Sequence, residues 1–312
     1  MLKYTLQRFL AMILTLFVIT ALTFVLMHSI PGGPFAGEKK LPDEILRALE
    51  EKYHLNDPLI KQFGDYMVGI LQGDFGPSFR VKGRTVTEII LQGLPVTARV
   101  GVLAAILTLL IAVPLGVFSA LKQNKWQDYT TMLLTTLGVT IPNFVIAILL
   151  IYVFCVSLGW FPVLSGKMEN PMTLVLPVIA LSAYSLSFIT RLTRSSMLDV
   201  TRQDYIRTAR AKGLSEFRVI GKHALKNALI PVVTYMGPML SGLLTGSFVI
   251  EQLFSIAGMG KFFVDSITNR DYTMIMGVTI LDAALLIFLN FLVDIAYGFI
   301  DPRIKLTGGK EE

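Results

Sequence analysis

The sequence predicts an all-α polytopic membrane protein with six transmembrane helices, and three observations carry that prediction. The chain of 312 residues is 53% hydrophobic and 16% charged, with a mean hydropathy of +0.63, too apolar for a soluble core of that length. Six apolar runs approach or exceed the roughly 20 residues that a helix needs to cross a bilayer. Lys and Arg collect at one set of run ends, the asymmetry that orients membrane proteins. The net charge of +6 follows from that clustering, and nucleic-acid binding is excluded on the same ground.

The first run follows Lys3 and Arg8 and covers residues 9–30 without a small-x-small cleavage site before Pro31. It reads as a retained first span rather than a signal peptide. A polar region, residues 31–95, follows and is assigned to the extracytoplasmic side. Within it Ile45, Leu49 and Tyr53 recur at helical spacing, as do Leu59, Phe63 and Met67, until Gly73, Gly76 and Pro77 end the pattern. Short amphipathic helices over the membrane face are one reading and a mobile loop is the other. Five further spans are expected at residues 97–121, 131–158, 172–189, 229–250 and 274–300.

Orientation comes from the short flanks. The N-terminus, residues 122–130, residues 191–231 and the tail together hold 16 Lys or Arg, whereas the opposite short loops hold Lys167, Lys261 and Arg270. Both termini are therefore expected in the cytoplasm. Pro114, Pro142, Pro177 and Pro238 each fall inside an apolar run and free a backbone carbonyl one turn earlier. Cavity lining and simple kinking both account for them. The run at 229–250 carries the pair Gly242-x-x-x-Gly246, suited to close helix approach or to a flexing gate. The run at 172–189 is rich in hydroxyls (Ser182, Tyr184, Ser185, Ser187), which suit a wet interior better than lipid.

No catalytic constellation emerges. His28, His54 and His223 are spread over three regions, and Cys155 is the only cysteine, so neither a shared metal site nor a dyad is expected. Gly260-Lys261 is followed by Phe262, and Ser255 stands where a phosphate-binding loop needs its first glycine. At membrane depth the ionisable residue of most interest is Asp282, which faces either a cavity or a neutralising helix. With Asn143, Tyr184 and Ser241 it forms the expected polar lining of a translocation path.

Residues 191–231 carry nine basic side chains between two spans. Leu198, Tyr205, Ile206 and Ala209 recur at helical spacing before Gly213. After it, Ser215 can cap a second helix with Glu216 in its first turn. That helix is expected to set Phe217, Ile220, Ala224 and Ala228 on one side and Arg218, Lys222 and Lys226 on another. The prediction is a helix, a projecting glycine turn and a helix on the cytoplasmic face.

Arg207-Thr-Ala-Arg-Ala-Lys-Gly213 resembles the E-A-A-x-x-x-G signature of the membrane subunits of ABC importers. Ala209 and Gly213 stand at matching places, while Arg207 replaces the acidic residue and Thr208 the first alanine. The proline of that signature comes later, in Asn227-Ala-Leu-Ile-Pro231. This variant, with Leu71-Gln-Gly-Asp-Phe-Gly76, the run from Thr245 to Glu251, Gly258-x-Gly260, Asn269-Arg-Asp-Tyr272 and the ending from Val293 to Arg303, is similar to the peptide and nickel branch, and to the B-type subunits of oligopeptide permeases above all.

The resemblance implies a type I ABC importer permease fold over residues 1–312, in a bacterial cytoplasmic membrane. It implies a path for oligopeptides or dipeptides, with nickel or another small solute as the alternative cargo. A second related permease chain, two cytoplasmic ATPase subunits that use ATP and Mg, and an extracytoplasmic peptide-binding protein are the implied partners, beside membrane lipid. Residues 191–231 become the coupling region, with Arg207, Ala209, Lys212, Gly213, Leu214, Ser215, Phe217 and Arg218 at the ATPase interface. Glu251, Gly258 and Gly260 are placed to meet the binding protein. No cofactor is expected on this chain. Three rivals fit less well: an ion-coupled secondary transporter lacks its inverted repeat, an intramembrane hydrolase lacks its dyad, and a receptor has no need of proline-broken spans.

Overall fold

In a computed structural model of the protein, residues 2–31, 33–35, 47, 50–162, 170–246 and 248–300 are described. The helix expected around Ile45 and Leu49, Lys167, and the tail through Arg303 lie outside them. Among the described residues the regular elements are helical, apart from one isolated antiparallel bridge between Pro77 and Thr85. The first seven are α1 (Leu2–His28), α2 (Leu59–Leu71), α3 (Val86–Leu121), α4 (Trp126–Thr140), α5 (Asn143–Leu150), α6 (Met172–Thr201) and α7 (Asp204–Ala211). The others are α8 (Glu216–Arg218), α9 (Leu225–Ala228), α10 (Ile230–Leu244), α11 (Phe248–Leu253), α12 (Met259–Asn269) and α13 (Tyr272–Ile300). Five candidate spans are long and apolar enough to cross a membrane, and a bent pair supplies a sixth.

The helices gather into two compact units, one of residues up to Thr97 with 257–291 and 298–300, the other of 98–256 with 292–297. In the first unit, α1 is one unbroken helix of 27 residues, about 40 Å long at 1.5 Å per residue. Its hydroxyls are satisfied locally: Thr15, Thr20 and Thr23 each donate to the carbonyl four residues back at 2.8 Å, so none needs a polar neighbour. Beside α2 the loop is pinned by Lys61, whose ammonium bonds Asp57 at 2.9 Å and holds that carboxyl below its usual range.

The helix α3 starts well before the expected residue 97. Thr85 Oγ1 accepts the Glu88 N–H and Glu88 Oε2 accepts the Thr85 N–H, both at 3.2 Å. This reciprocal capping box satisfies two free donors, and the apolar face of Val86, Ile89 and Ile90 is buried against Met259, Met274 and Val278. Asp271 organises the same unit from just before α13. It is 1% exposed and accepts from the Ser78 hydroxyl, from Phe79 N at 3.1 Å, from Thr273 Oγ1 at 3.0 Å and from Met274 N at 3.3 Å. One carboxylate thus caps a helix and ties down the loop after Pro77.

In the second unit the run at 131–158 is bent rather than straight. It splits at Pro142 into α4 and α5, bent by 104°. Pro142 has no N–H for the ladder and drives Ile141 to an extended ψ of 124°. After Leu150 the chain continues as a π-helical stretch to Ser157. Pro114, Pro177 and Pro238 interrupt nothing: α3, α6 and α10 run through them.

The helix α6 extends past residue 189 to Thr201, and several of its hydroxyls pack against protein, while Tyr184 and Ser195 are exposed. Ser182, Ser185, Ser187, Thr190 and Thr193 are all buried. Ser182 and Thr190 donate to carbonyls of their own helix, which lets a hydroxyl sit in a dry interface. Small residues opposite make room: a Cβ at Gly138 would overlap the Ser187 hydroxyl, and one at Gly116 would lie 2.6 Å from the Thr193 Cβ. The Gly242-x-x-x-Gly246 pair does not serve this purpose. A Cβ at Gly242 would meet nothing within 4 Å, and Gly246, at φ 75°, follows the end of α10.

Candidate functional site

The candidate site is the segment from α7 to α9, built around Gly213. Its first helix ends in a Schellman arrangement: Gly213 N donates to Arg210 O at 2.9 Å and Leu214 N to Ala209 O at 3.4 Å. The pattern requires a left-handed residue, and Gly213 has φ 77°. The accompanying apolar contact is present, since Leu214 packs on the cluster that contains Ala209. Ala209 is therefore an anchor and not surface.

Around this anchor Met197, Ile206, Val219, Ala224 and Ala228 form one buried cluster with Ala120. Ser215 stands at the N-cap of α8 with extended backbone, but its hydroxyl makes no capping bond. The register of the second helix departs from expectation. Residues 219–224 form a π-helical turn, which takes more residues per turn and shifts the inward face. Val219 is fully buried while Phe217 is 90% exposed, so Phe217 points away from the core instead of sharing a side with Ala224 and Ala228. Arg207, Lys212, Ser215 and Arg218 are exposed and Leu214 is half-buried.

Two side-chain links brace the hairpin, and neither was anticipated. Arg210 Nε bonds Glu216 Oε1 at 2.8 Å across the turn, and Asn227 Nδ2 donates to Tyr205 Oη at 2.7 Å. A third link supports the helix leading in. Arg194 donates from Nε and Nη2 to both oxygens of Asp128, at 2.6 and 2.7 Å. The Ser119 hydroxyl and the Asn124 N–H complete the carboxylate at 2.5 and 3.0 Å. The available signal was Asp128 itself, the lone acid among residues 122–130.

Of the expected path residues, Asn143, Tyr184 and Ser241 belong to the second unit and Asp282 to the first. Tyr184 lines a cavity of about 510 Å³ with Met132, Val139, Phe188, Arg191 and Arg194. Asn143 is half-buried at the start of α5 and Ser241 is buried in α10; neither lines that cavity. Asp282 is half-buried in α13, with one carboxylate oxygen enclosed and lacking a hydrogen-bond partner among the described residues. Glu251, Gly258 and Gly260 are all buried, and the exposed positions nearby are Gln252, Ser255 and Ala257. No group of three metal-ligating side chains occurs among the described residues.

By its fold the chain is a multi-crossing membrane protein whose exposed, braced hairpin lies between two crossings. Residues 112–306 match the family described as binding-protein-dependent transport system inner membrane component, and residues 1–101 match its N-terminal companion. The chain belongs to that family: it is a multi-pass ABC permease subunit of the inner membrane and not itself a hydrolase. It is 49% identical to the dipeptide transport system permease protein DppB of Bacillus subtilis, over 98% of this chain and 99% of that one. It is 46% identical to the oligopeptide transport system permease protein OppB of Salmonella typhimurium, over 98% and 100%. In fold it is similar to a chain of the methionine ABC transporter MetNI solved in inward-facing conformations, with a TM-score of 0.56 over 68% of this chain and 96% of that one, at 18% identity.

Proposed function

We propose that this chain pairs with a second, related permease chain to enclose a path for dipeptides or oligopeptides, and that two cytoplasmic ATPase subunits drive it through the Gly213 hairpin. An extracytoplasmic peptide-binding protein delivers the cargo, and both termini lie in the cytoplasm. The observation that carries this reading is Phe217. An aromatic ring left 90% exposed beside a rigid turn gains about 2 kcal/mol when a partner covers it. Arg207, Lys212 and Arg218 are exposed on the same hairpin and supply positive charge suited to an acidic groove rim. Peptide cargo is supported by the named relatives, which match over nearly their full length.

ATP binding draws the two ATPases together and carries the hairpins with them. The permease chains then exchange inward-open for outward-open states, because the ATPases contact those states differently. The test is reconstitution with candidate ATPases and a binding protein, followed by uptake of labelled di- and oligopeptides. ATP-dependent peptide uptake is expected, together with a crosslink from Phe217→Cys to an ATPase. Uptake of nickel without peptide overturns the cargo, and a hairpin that crosslinks to no ATPase overturns the coupling role.

A further inference from the structure

We propose that α2 lies within the membrane, immersed in the leaflet that is extracytoplasmic on the orientation proposed above, and that the groove between α1 and α2 holds a lipid acyl chain. The helix carries more apolar surface than the chain covers. Phe63, Tyr66 and Ile70 pack inward on Phe24, Met276 and Ile280. On the adjoining arc, Ile60 is 88% exposed, Leu71 82% and Val68 55%, spaced so that they form one continuous strip. Lys61 and Asp65 sit beside Val68 at one edge of this exposed face and Ile60 and Leu71 hold the other, so the helix has a wet edge and a dry one.

Its depth argues for lipid over water. The Phe63 ring meets that of Phe24 at 5.3 Å and that of Phe17 at 6.0 Å. Phe24 and Phe17 lie four and eleven residues before His28, where α1 ends, so the Phe63 ring sits between about 6 and 16 Å down the span. The bond between His28 Nε2 and Gln62 Oε1 at 3.2 Å fixes the upper end. Thus α2 runs alongside the apolar part of α1 instead of resting above it. The exposed strip also continues the bare face of α1, where Leu22, Val25 and Leu26 are 58 to 62% exposed. Between the two helices Ala21, Val25, Leu59, Ile60 and Phe63 line an apolar groove of about 270 Å³, a chemistry that fits a hydrocarbon chain.

The full chain, with Cys155→Ala and a nitroxide on Ile60→Cys, is placed in lipid nanodiscs, alone and assembled with its partners, and its spectrum is read against oxygen and a water-soluble nickel chelate. Leu71→Cys serves as an independent second site and Lys61→Cys as the polar reference. Accessibility to oxygen several-fold above that at Lys61, with the chelate excluded, is expected at positions 60 and 71. Chelate access at both means the strip is in water and overturns the proposal. Exclusion of both reagents means that the second permease chain or the binding protein covers the strip, and overturns it equally.

Discussion

Arg194 on α6 and Asp128 in the first turn of α4 form a two-pronged ion pair at 2.6 and 2.7 Å, with Asp128 only 2% exposed. The same Asp128 takes the Ser119 hydroxyl from the last turn of α3 and the Asn124 N–H. One carboxylate therefore joins the α3 to α4 corner to the helix that feeds the Gly213 hairpin. Removing one partner strands a charge, so Asp128→Ala is expected to cost about 3 kcal/mol or more. Combining it with Arg194→Met should recover much of that loss. Unfolding of the purified protein checks this, and a double variant no more stable than the single one would refute it.

At Gly213 a side chain meets open space, with nothing within 4 Å of a Cβ, so the cost of substitution is conformational. A left-handed φ of 77° penalises Ala by about 1 to 2 kcal/mol, while Asn tolerates it better. Gly213→Ala should weaken transport-coupled ATP hydrolysis more than Gly213→Asn does. Gly213→Pro, which also removes the N–H bonded to Arg210 O, should abolish coupling. Equal rates in all three would remove the turn from the mechanism.

Gly138 and Ser187 test the α4 to α6 seam. A methyl at Gly138 overlaps the Ser187 hydroxyl, and overpacking of this kind costs about 1 to 3 kcal/mol. Gly138→Ala should therefore destabilise, and adding Ser187→Ala should restore part of the loss. Additive effects in a double-mutant cycle would show that the two do not touch.

Asp271→Ala leaves the Ser78 hydroxyl and two backbone donors without their acceptor in a buried setting. Each unmet donor costs roughly 1 to 3 kcal/mol, so a substantial loss of stability is expected. Faster hydrogen exchange should appear at Phe79 and in the first turn of α13. Exchange left unchanged in both segments would contradict the assignment.

Much of the architecture was legible in the sequence because membrane crossings depend on local apolar length and the hairpin on local chemistry. Gly213 after Arg210, Ala211 and Lys212 announces a Schellman end in any context. The early start of α3 was also readable, as Thr85-Val-Thr-Glu88 is a capping box, but the apolar run beginning near residue 97 obscured it. The serines of α6 misled for a physical reason: Ser182 bonds a carbonyl of its own helix, so it looks wet in sequence and packs dry in the fold, whereas Tyr184 does line a cavity.

The sequence by itself determined that this chain is a multi-crossing helical protein with a glycine-turned hairpin, since 3.6-residue periodicity, hydrophobic length and a forced positive φ act within a few residues. Tertiary structure alone decided which side chains the hairpin presents. The π-helical turn at 219–224 buries Val219 and turns Phe217 outward, and Asp128 finds Arg194 from 66 residues away. Such choices rest on packing volume and on pairing a desolvated charge, and neither has a local signature.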